Sequence, residues 1–305
     1  MKNNLNLKIK RLSITKFPYT NVIGLARTVV AIGTLLTLII NPISNLYHKK
    51  YDGTLINEKL NGIDTFCKYN FFTILGDKYV NLMVYLAIII LLVTVSGYFI
   101  KITSLLHWWI SISFLYFSSI IDGGDQIATI LTFLLIPICL TDPRKNHWTK
   151  IKPFAATQNI FAIVTTWIIR LQVAVIYFHA AISKMAVPEW ENGTAIYYWF
   201  NHSVFGQPQY LSFINNFLSN YIIVSIATYG AIMLEIAIFL GLFAKMRYRQ
   251  KILICGITFH FIIILIHGIF SFFFSISACL LIYLIPTHNN LNFNIWYPKK
   301  SNSYI

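Results

Sequence analysis

Apolar runs of about 17 residues or more recur along the chain, and each has the length that a helix needs to cross ~30 Å of hydrocarbon. This repetition restricts the fold more than any other feature of the sequence. The composition agrees, because 57% of the 305 residues are hydrophobic and only 11% are charged, whereas soluble domains carry roughly a quarter charged residues. The sequence therefore predicts an all-α, polytopic helical membrane protein with no sizeable soluble domain.

The net charge of +14 is distributed in short Lys/Arg blocks between the apolar runs. Such blocks encode membrane orientation, so the basic charge indicates the lipid bilayer as a partner and does not indicate nucleic acid. The four cysteines form no CxxC pair and no zinc spacing, and no metal site is predicted.

The runs predict about eight transmembrane helices. They cover residues 21–41, 79–100, 102–121, 126–140, 157–184 and 221–243, with two more in 252–286 that His267-Gly268 divides. The alternative is seven crossings, with 252–286 as one long tilted or kinked helix. In the eight-helix count every basic block falls on one side, so both ends of the chain are predicted to be cytoplasmic.

This count divides the chain into a cytoplasmic basic arm (residues 1–20), a transmembrane domain (21–286) and a cytoplasmic tail (287–305). Within the transmembrane domain, residues 42–78 are predicted to form an outer loop. The aromatic-rich segment 185–220 is predicted to lie along the outer interface, where tyrosine and tryptophan are favoured.

Ionisable side chains inside spanning helices are costly and therefore mark candidate functional residues. Arg170, Tyr177 and Lys184 are spaced by seven and lie on one stripe of the fifth helix. Glu235 and His260 are expected at the depth of Arg170, and a buried Arg170–Glu235 ion pair is predicted.

A second set of polar residues is expected near the outer ends of the helices. Asp122, Asp125 and His267 are predicted to converge with Lys184 and Glu189 in one outward-facing pocket. The histidines lack an HExxH pattern and are more typical of core residues than of metal ligands.

Two cations have readings without a catalytic role. Arg27 is expected to snorkel to the inner face. The sequence leaves three roles open for Lys184. It could be a buried free amine that acts as base or nucleophile, a fixed cation if Asp125 or Glu189 pairs with it, or a snorkelling anchor.

The segment YFHAAISKMAVPEWENG, residues 177–193, followed by YYW, resembles the central signature of the horizontally transferred transmembrane domain. This is the membrane domain of vitamin K-dependent gamma-glutamyl carboxylase and its bacterial relatives. The resemblance extends to DGGDQIATILTFLLIP, DPRKNHW, AIMLEIAIFLGLF and FHFIIILIHGIFSF, and so covers most of residues 20–286. The N-terminal FPYTNVIGLARTVVAIGTLLTLIINP is similar to one bacterial branch, the sporulation-delaying protein B family.

The resemblance implies a multi-pass protein of the bacterial cytoplasmic membrane that helps to mature a secreted antimicrobial peptide toxin, a bacteriocin, from its precursor. The implied partners are the precursor peptide and a small protein resembling sporulation-delaying protein A. Lys184 occupies the position of the carboxylase lysine that deprotonates vitamin K hydroquinone, so the resemblance also implies a quinone cofactor.

The family motif is matched at further positions. His260, Trp190 and Gly193 match a histidine, a tryptophan and a glycine of the family, and Glu235 stands where the carboxylase has an acid. Asp125 replaces a carboxylase histidine, and the large luminal domain of the carboxylase is missing, so glutamate carboxylation is not implied.

Two hypotheses follow, and whether the protein is an enzyme stays open between them. In the first, Lys184 is a general base or a substrate-anchoring cation, Asp125 sets its charge state, and His260 with Glu235 supports the pocket. In the second, the protein is a non-catalytic scaffold or chaperone that docks the precursor on residues 194–213. A serine–lysine protease dyad at Ser183-Lys184 is disfavoured, because adjacent residues on a helix do not face each other.

Overall fold

The computed structural model describes residues 18–47, 69–119, 121–150, 158–203 and 205–291, and eight long helices account for most of them. The helices are α1 (Asn21–Ile40), α2 (Val80–Ser96), α3 (Ile100–Phe117), α4 (Gly123–Thr141), α5 (Gln158–Met185), α6 (Tyr221–Leu240), α7 (Met246–His267) and α8 (Phe270–Leu284). Most of the predicted basic arm, much of the outer loop and most of the tail lie outside the described residues.

Seven of the described helices are long and apolar enough to cross a membrane, and α8 is a shorter apolar helix. At 1.5 Å per residue its 15 residues cover about 22 Å. The all-α polytopic membrane fold predicted from the apolar runs is confirmed.

The long apolar run 252–286 is divided where the sequence predicted. Helix α7 ends at His267, and Gly268 follows with φ +69°, a left-handed conformation that suits a residue without a side chain. The Gly268 N–H donates to the Ile264 carbonyl at 2.8 Å and closes the helix end. Helices α7 and α8 are therefore separate elements.

Helix α8 lies in the centre of the bundle. From Ser275 to Leu284 every side chain is buried, and the helix packs most extensively against α1, with further contacts to α7, α4 and α5. A second apolar core between α1, α2 and α3 contains Phe71 and Phe72 from the segment before α2. Ser113 of α3 holds this segment by accepting from the Phe71 N–H at 2.9 Å.

The beginning of α1 is tied to the chain beyond α8. The Thr20 hydroxyl donates to the Thr287 carbonyl at 2.8 Å, and the Asn21 side chain exchanges two hydrogen bonds with the backbone of Leu291, at 2.7 and 2.8 Å. This side of the bundle is called the Asn21 end below, and the side where α4 and α8 begin is called the Asp122 end.

Arg27 does not snorkel, contrary to the sequence expectation, because it is 3% exposed and fully engaged inside the bundle. Its guanidinium donates to His147 Nδ1 and to Thr103 Oγ1, both at 2.9 Å. The His147 ring fits against Gly24 and Gly97, where an added Cβ would lie 2.8 Å from a ring atom. The loop after α4 thus supplies a partner that makes burial of the cation tolerable.

Candidate functional site around Lys184 and Glu235

Lys184, in the last turn of α5, forms an ion pair with Glu235 of α6. Its ammonium lies 2.8 Å from Oε1 and 3.0 Å from Oε2 of the carboxylate, and it also donates to the Ala180 carbonyl at 3.2 Å. The side chain of Glu235 is 9% exposed and that of Lys184 is 24% exposed. The pair joins two spanning helices, and one side of the ammonium stays accessible.

Trp190 covers the pair from the segment that follows α5. Pro188 begins a short helix, Pro188–Glu191, that brings the indole ring centroid to 5.3 Å from the Lys184 Nζ. A cation over an indole face is attracted by the ring quadrupole. The carboxylate of Glu235, the carbonyl of Ala180 and the indole of Trp190 therefore all lie around the amine of Lys184.

Gly193 allows this segment to lie against α6. Its φ of +74° favours glycine, and a Cβ there would lie 2.9 Å from the Tyr229 ring and 3.0 Å from Ser225 Oγ. The Tyr229 hydroxyl donates to the Glu191 carbonyl at 2.7 Å. The close approach therefore fixes the position of the turn that carries Trp190.

The segment after α5 continues along α6 beyond the ion pair. The Ile196 N–H donates to Thr228 Oγ1 at 3.3 Å, which places Ala195–Phe200 beside the first half of α6. Glu235 lies about 21 Å along the helix from Tyr221. Lys184 therefore does not mark the end of the apolar structure, and its side chain points to Glu235 instead of outward as a snorkelling anchor would.

His260 and Tyr177 lie next to the ion pair, between α5 and α7. The His260 Nδ1–H donates to the Gly256 carbonyl at 2.7 Å, and its ring centroid is 6.1 Å from that of Tyr177. Lys184 interacts electrostatically with His260, and Glu235 with Tyr177. The Tyr177 hydroxyl is buried and has no hydrogen-bond partner among the described residues. These four side chains form one polar cluster in the bundle.

Arg170 does not pair with Glu235, which corrects the sequence prediction. Its guanidinium donates to the carbonyls of Ile282 and Ile285 at 3.1 Å each and lies 5.2 Å from the Trp167 ring centroid. The last carbonyls of a helix lack intrahelical donors and attract a cation. Arg170 and Lys184 are also about 21 Å apart along α5, so one carboxylate cannot serve both.

Asp125 belongs to a separate polar group at the start of α4, and it does not pair with Lys184. Asp122 caps the helix by accepting from the Gly124 and Asp125 N–H groups at 2.6 and 3.2 Å, and Asp125 accepts from the Asp122 N–H at 3.0 Å. This reciprocal capping box starts α4 at Gly123, earlier than predicted. The Ser271 hydroxyl donates to Asp122 at 2.5 Å, a contact that the sequence did not reveal.

The two carboxylates line an open cleft of about 420 Å³ at the Asp122 end. Its walls also include Thr37, Asn41 and Phe205. His267 holds one wall in place, because its Nδ1 bonds the Phe205 carbonyl and its ring lies 6.1 Å from that of Trp199. Within the described residues, the single pocket predicted from the sequence is thus two sites: the Lys184–Glu235 cluster and the Asp122–Asp125 cleft.

The described residues contain no group of three or more His, Cys, Asp or Glu side chains that could hold a metal ion. Next to Lys184, the indole of Trp190 is an aromatic ring and the amine of Lys184 is a hydrogen-bond donor.

Comparison with known proteins gives two relatives of nearly the same length, both from Bacillus subtilis (strain 168). The protein named Uncharacterized protein YitO is 36% identical over 285 residues, which cover 90% of this chain and 89% of that protein. Sporulation-delaying protein SdpB is 35% identical over 284 residues, which cover 91% of this chain and 85% of that protein. No family model matches the chain, and no solved structure matches it.

Proposed function

The chain belongs to the SdpB-like family of sporulation-delaying proteins, and we propose that it is a membrane subunit for the production of a secreted peptide toxin. The observation that carries the proposal is the Lys184–Glu235 ion pair, held between two spanning helices beneath Trp190. Charged groups at such positions are retained for function more often than for stability, because their desolvation is costly.

In this proposal Lys184 is a substrate-anchoring cation. Glu235 and the Ala180 carbonyl occupy part of its hydrogen-bonding capacity, and the accessible side of the ammonium donates to a carbonyl or carboxylate of the precursor peptide. Trp190 packs against an apolar side chain of the same peptide. A quinone bound here would supply redox chemistry, and Lys184 would orient its oxygen.

The proposed partners are the precursor peptide and a small protein resembling sporulation-delaying protein A. We place the Asn21 end at the cytoplasmic face of a bacterial membrane. This orientation is supported by the basic residues at that end, which include Arg144, Lys145 and Arg249.

The test is toxin production in cells that carry the precursor, with Lys184→Ala or Lys184→Arg in place of the wild-type protein. We expect Lys184→Ala to lower the mature peptide at least about tenfold at normal membrane abundance. Lys184→Arg should retain much of the activity, because the guanidinium keeps the charge and pairs readily with a carboxylate. Lys101→Ala, at an exposed lysine of α3, is the matched control.

Each outcome has a meaning. Loss with both Lys184 variants would replace the anchoring role with one that needs a titratable amine, the general base. Unchanged peptide production with both variants would show that toxin production does not require Lys184.

A non-catalytic scaffold is the second candidate, and a specific surface supports it. The segment after α5 exposes a set of large aromatic side chains: Tyr197, Tyr198, Trp199, Phe205, Tyr210 and Phe213. In this candidate, Trp199→Ala and Tyr210→Ala reduce toxin production more than Lys184→Met does. Tyr85→Ala, at an exposed aromatic residue of α2, is the control, and the opposite order would reject the scaffold.

A further inference from the structure

A column of buried polar side chains runs through the bundle between α1, α3 and α4, away from Lys184. On α3 it consists of Thr103, Ser104, His107 and Ser111; His107 lies three or four positions from each of the other three, so that they share one face. On α4 the hydroxyl of Thr129 donates to the carbonyls of Ser111 and Asp125, at 3.2 and 2.8 Å. Thr129 thus connects the column with the first turn of α4, where the Asp125 side chain lines the Asp122–Asp125 cleft.

Two atoms in the middle of this column have no hydrogen-bond partner among the described residues. They are His107 Nε2 and Ser111 Oγ, on side chains that are 3% and 4% exposed. A buried polar atom without a hydrogen-bond partner destabilises a membrane-embedded core by several kcal/mol, because hydrocarbon offers it no alternative partner. Buried water that bonds to two or more protein groups is the usual way to avoid this cost.

At the Asn21 end the column stops at a fixed positive charge. Arg27 donates to Thr103 at 2.9 Å, and its guanidinium is close enough to interact electrostatically with His107. A buried arginine is an electrostatic barrier to protons and other cations. The two ends of the column therefore differ: one end lies near the acidic cleft, and the other ends at the Arg27 guanidinium.

From this arrangement we propose that water molecules occupy the column, bonded to His107 Nε2 and Ser111 Oγ, and connect it with the cleft at Asp122 and Asp125. Protons and water exchange between His107 and that cleft, and Arg27 blocks their passage to the Asn21 end. The proposal is independent of the peptide-producing role, since none of these side chains contacts Lys184.

The test is radiolytic hydroxyl-radical labelling of the wild-type protein in membranes, read residue by residue by mass spectrometry. Radicals formed from bound water oxidise adjacent side chains even where the bulk solvent does not reach. The matched control is Phe114, a reactive ring on the same helix that is 2% exposed and packs against Phe72. We expect His107 to be oxidised at least about fivefold faster than Phe114 after correction for intrinsic reactivity. Equal rates would overturn the proposal.

A variant tests the same claim from the other side. Ser111→Leu fills the column with an apolar side chain, and it should bring labelling of His107 down to the rate of Phe114. Ile110→Val, at the neighbouring position in the apolar core, should leave His107 labelling unchanged. Undiminished labelling in a folded Ser111→Leu protein would contradict the proposed water column, and the wild-type comparison decides the matter if this variant does not fold.

Discussion

Lys184 and Glu235 lie 51 positions apart in the chain and are joined by an ammonium–carboxylate contact of 2.8 Å between α5 and α6. Because the carboxylate is nearly inaccessible, removal of one partner leaves the other charge unpaired at a cost in stability. The contribution of the pair to the stability of the protein can therefore be measured separately from its contribution to toxin production.

We expect Glu235→Leu alone to destabilise the protein by about 3–5 kcal/mol, because it leaves a partly buried ammonium unpaired. The double variant Lys184→Met, Glu235→Leu should regain most of this free energy of unfolding, since two apolar side chains replace the two charges. It should still produce no mature toxin. The checks are unfolding in detergent and the toxin level in the medium. A double variant as unstable as Glu235→Leu would show that the instability of Glu235→Leu does not come from the unpaired ammonium of Lys184.

Gly193→Ala should displace Trp190 from Lys184. Alanine at φ +74° is strained by about 1–2 kcal/mol, and its Cβ would lie 2.9 Å from the Tyr229 ring. The indole fluorescence of the region and the toxin level should both change. Gly230→Ala, in α6 where an added Cβ meets nothing within 4 Å, is the control. Equal behaviour of the two variants would mean that the turn does not depend on the close approach.

Two adjacent glycines at the start of α4 should differ sharply. A Cβ on Gly124 would lie 2.2 Å from the Phe272 backbone nitrogen, whereas one on Gly123 would be in ordinary contact, 3.5 Å from the Phe272 ring. Gly124→Ala therefore has to separate α4 from α8 and break the Ser271–Asp122 hydrogen bond, and we expect a loss of several kcal/mol. Gly123→Ala should be nearly neutral. The measurement is the thermal unfolding midpoint of each, and similar midpoints would refute the close helix contact.

His147 should make stability depend on pH. Burial, with the charges of Arg27 and Arg144, lowers the pKa of His147 to about 3 from 6.5. Because the unfolded chain binds the proton below about pH 6.5 and the folded one does not, the free energy of unfolding falls as pH decreases from there towards 3. The slope is at most about 1.4 kcal/mol per pH unit, and above pH 6.5 the histidine contributes none.

Denaturant unfolding at pH 7.5, 6 and 5 measures this slope. His147→Gln keeps an acceptor for Arg27 but cannot titrate, so its unfolding free energy should vary less over the same range. If the wild-type protein and this variant show the same pH dependence, then His147 is not the group responsible.

The helices could be predicted because membrane crossing fixes their length and apolarity. The division at His267-Gly268 was also readable, since a glycine after a run too long for one crossing marks a helix end. The capping of α4 by Asp122 also involves only neighbouring residues, Asp122 to Asp125, but it was not predicted, and the helix was expected to begin at residue 126. These features depend on short stretches of chain.

The pairing of the charges could not be predicted, because it depends on how far the helices extend past one another. The 28 residues of α5 exceed one crossing, and the segment after it continues along α6, so matching depths from the helix ends assigned Arg170 to Glu235. Arg27 has its partner His147 120 positions away, in a loop whose basic residues indicated only orientation. The hydrophobic periodicity of the sequence does not indicate such a long-range contact.

The contact between α1 and α8 has a consequence for how the protein is made. When α1 leaves the ribosome, the surface that α8 will cover is still exposed. This surface remains exposed until α8, the last helix, is synthesised. At 15 residues, α8 is too short to be a strong insertion signal, and the groove left by the preceding helices receives it. Translation must therefore reach residue 291 before Thr20 and Asn21 find their partners.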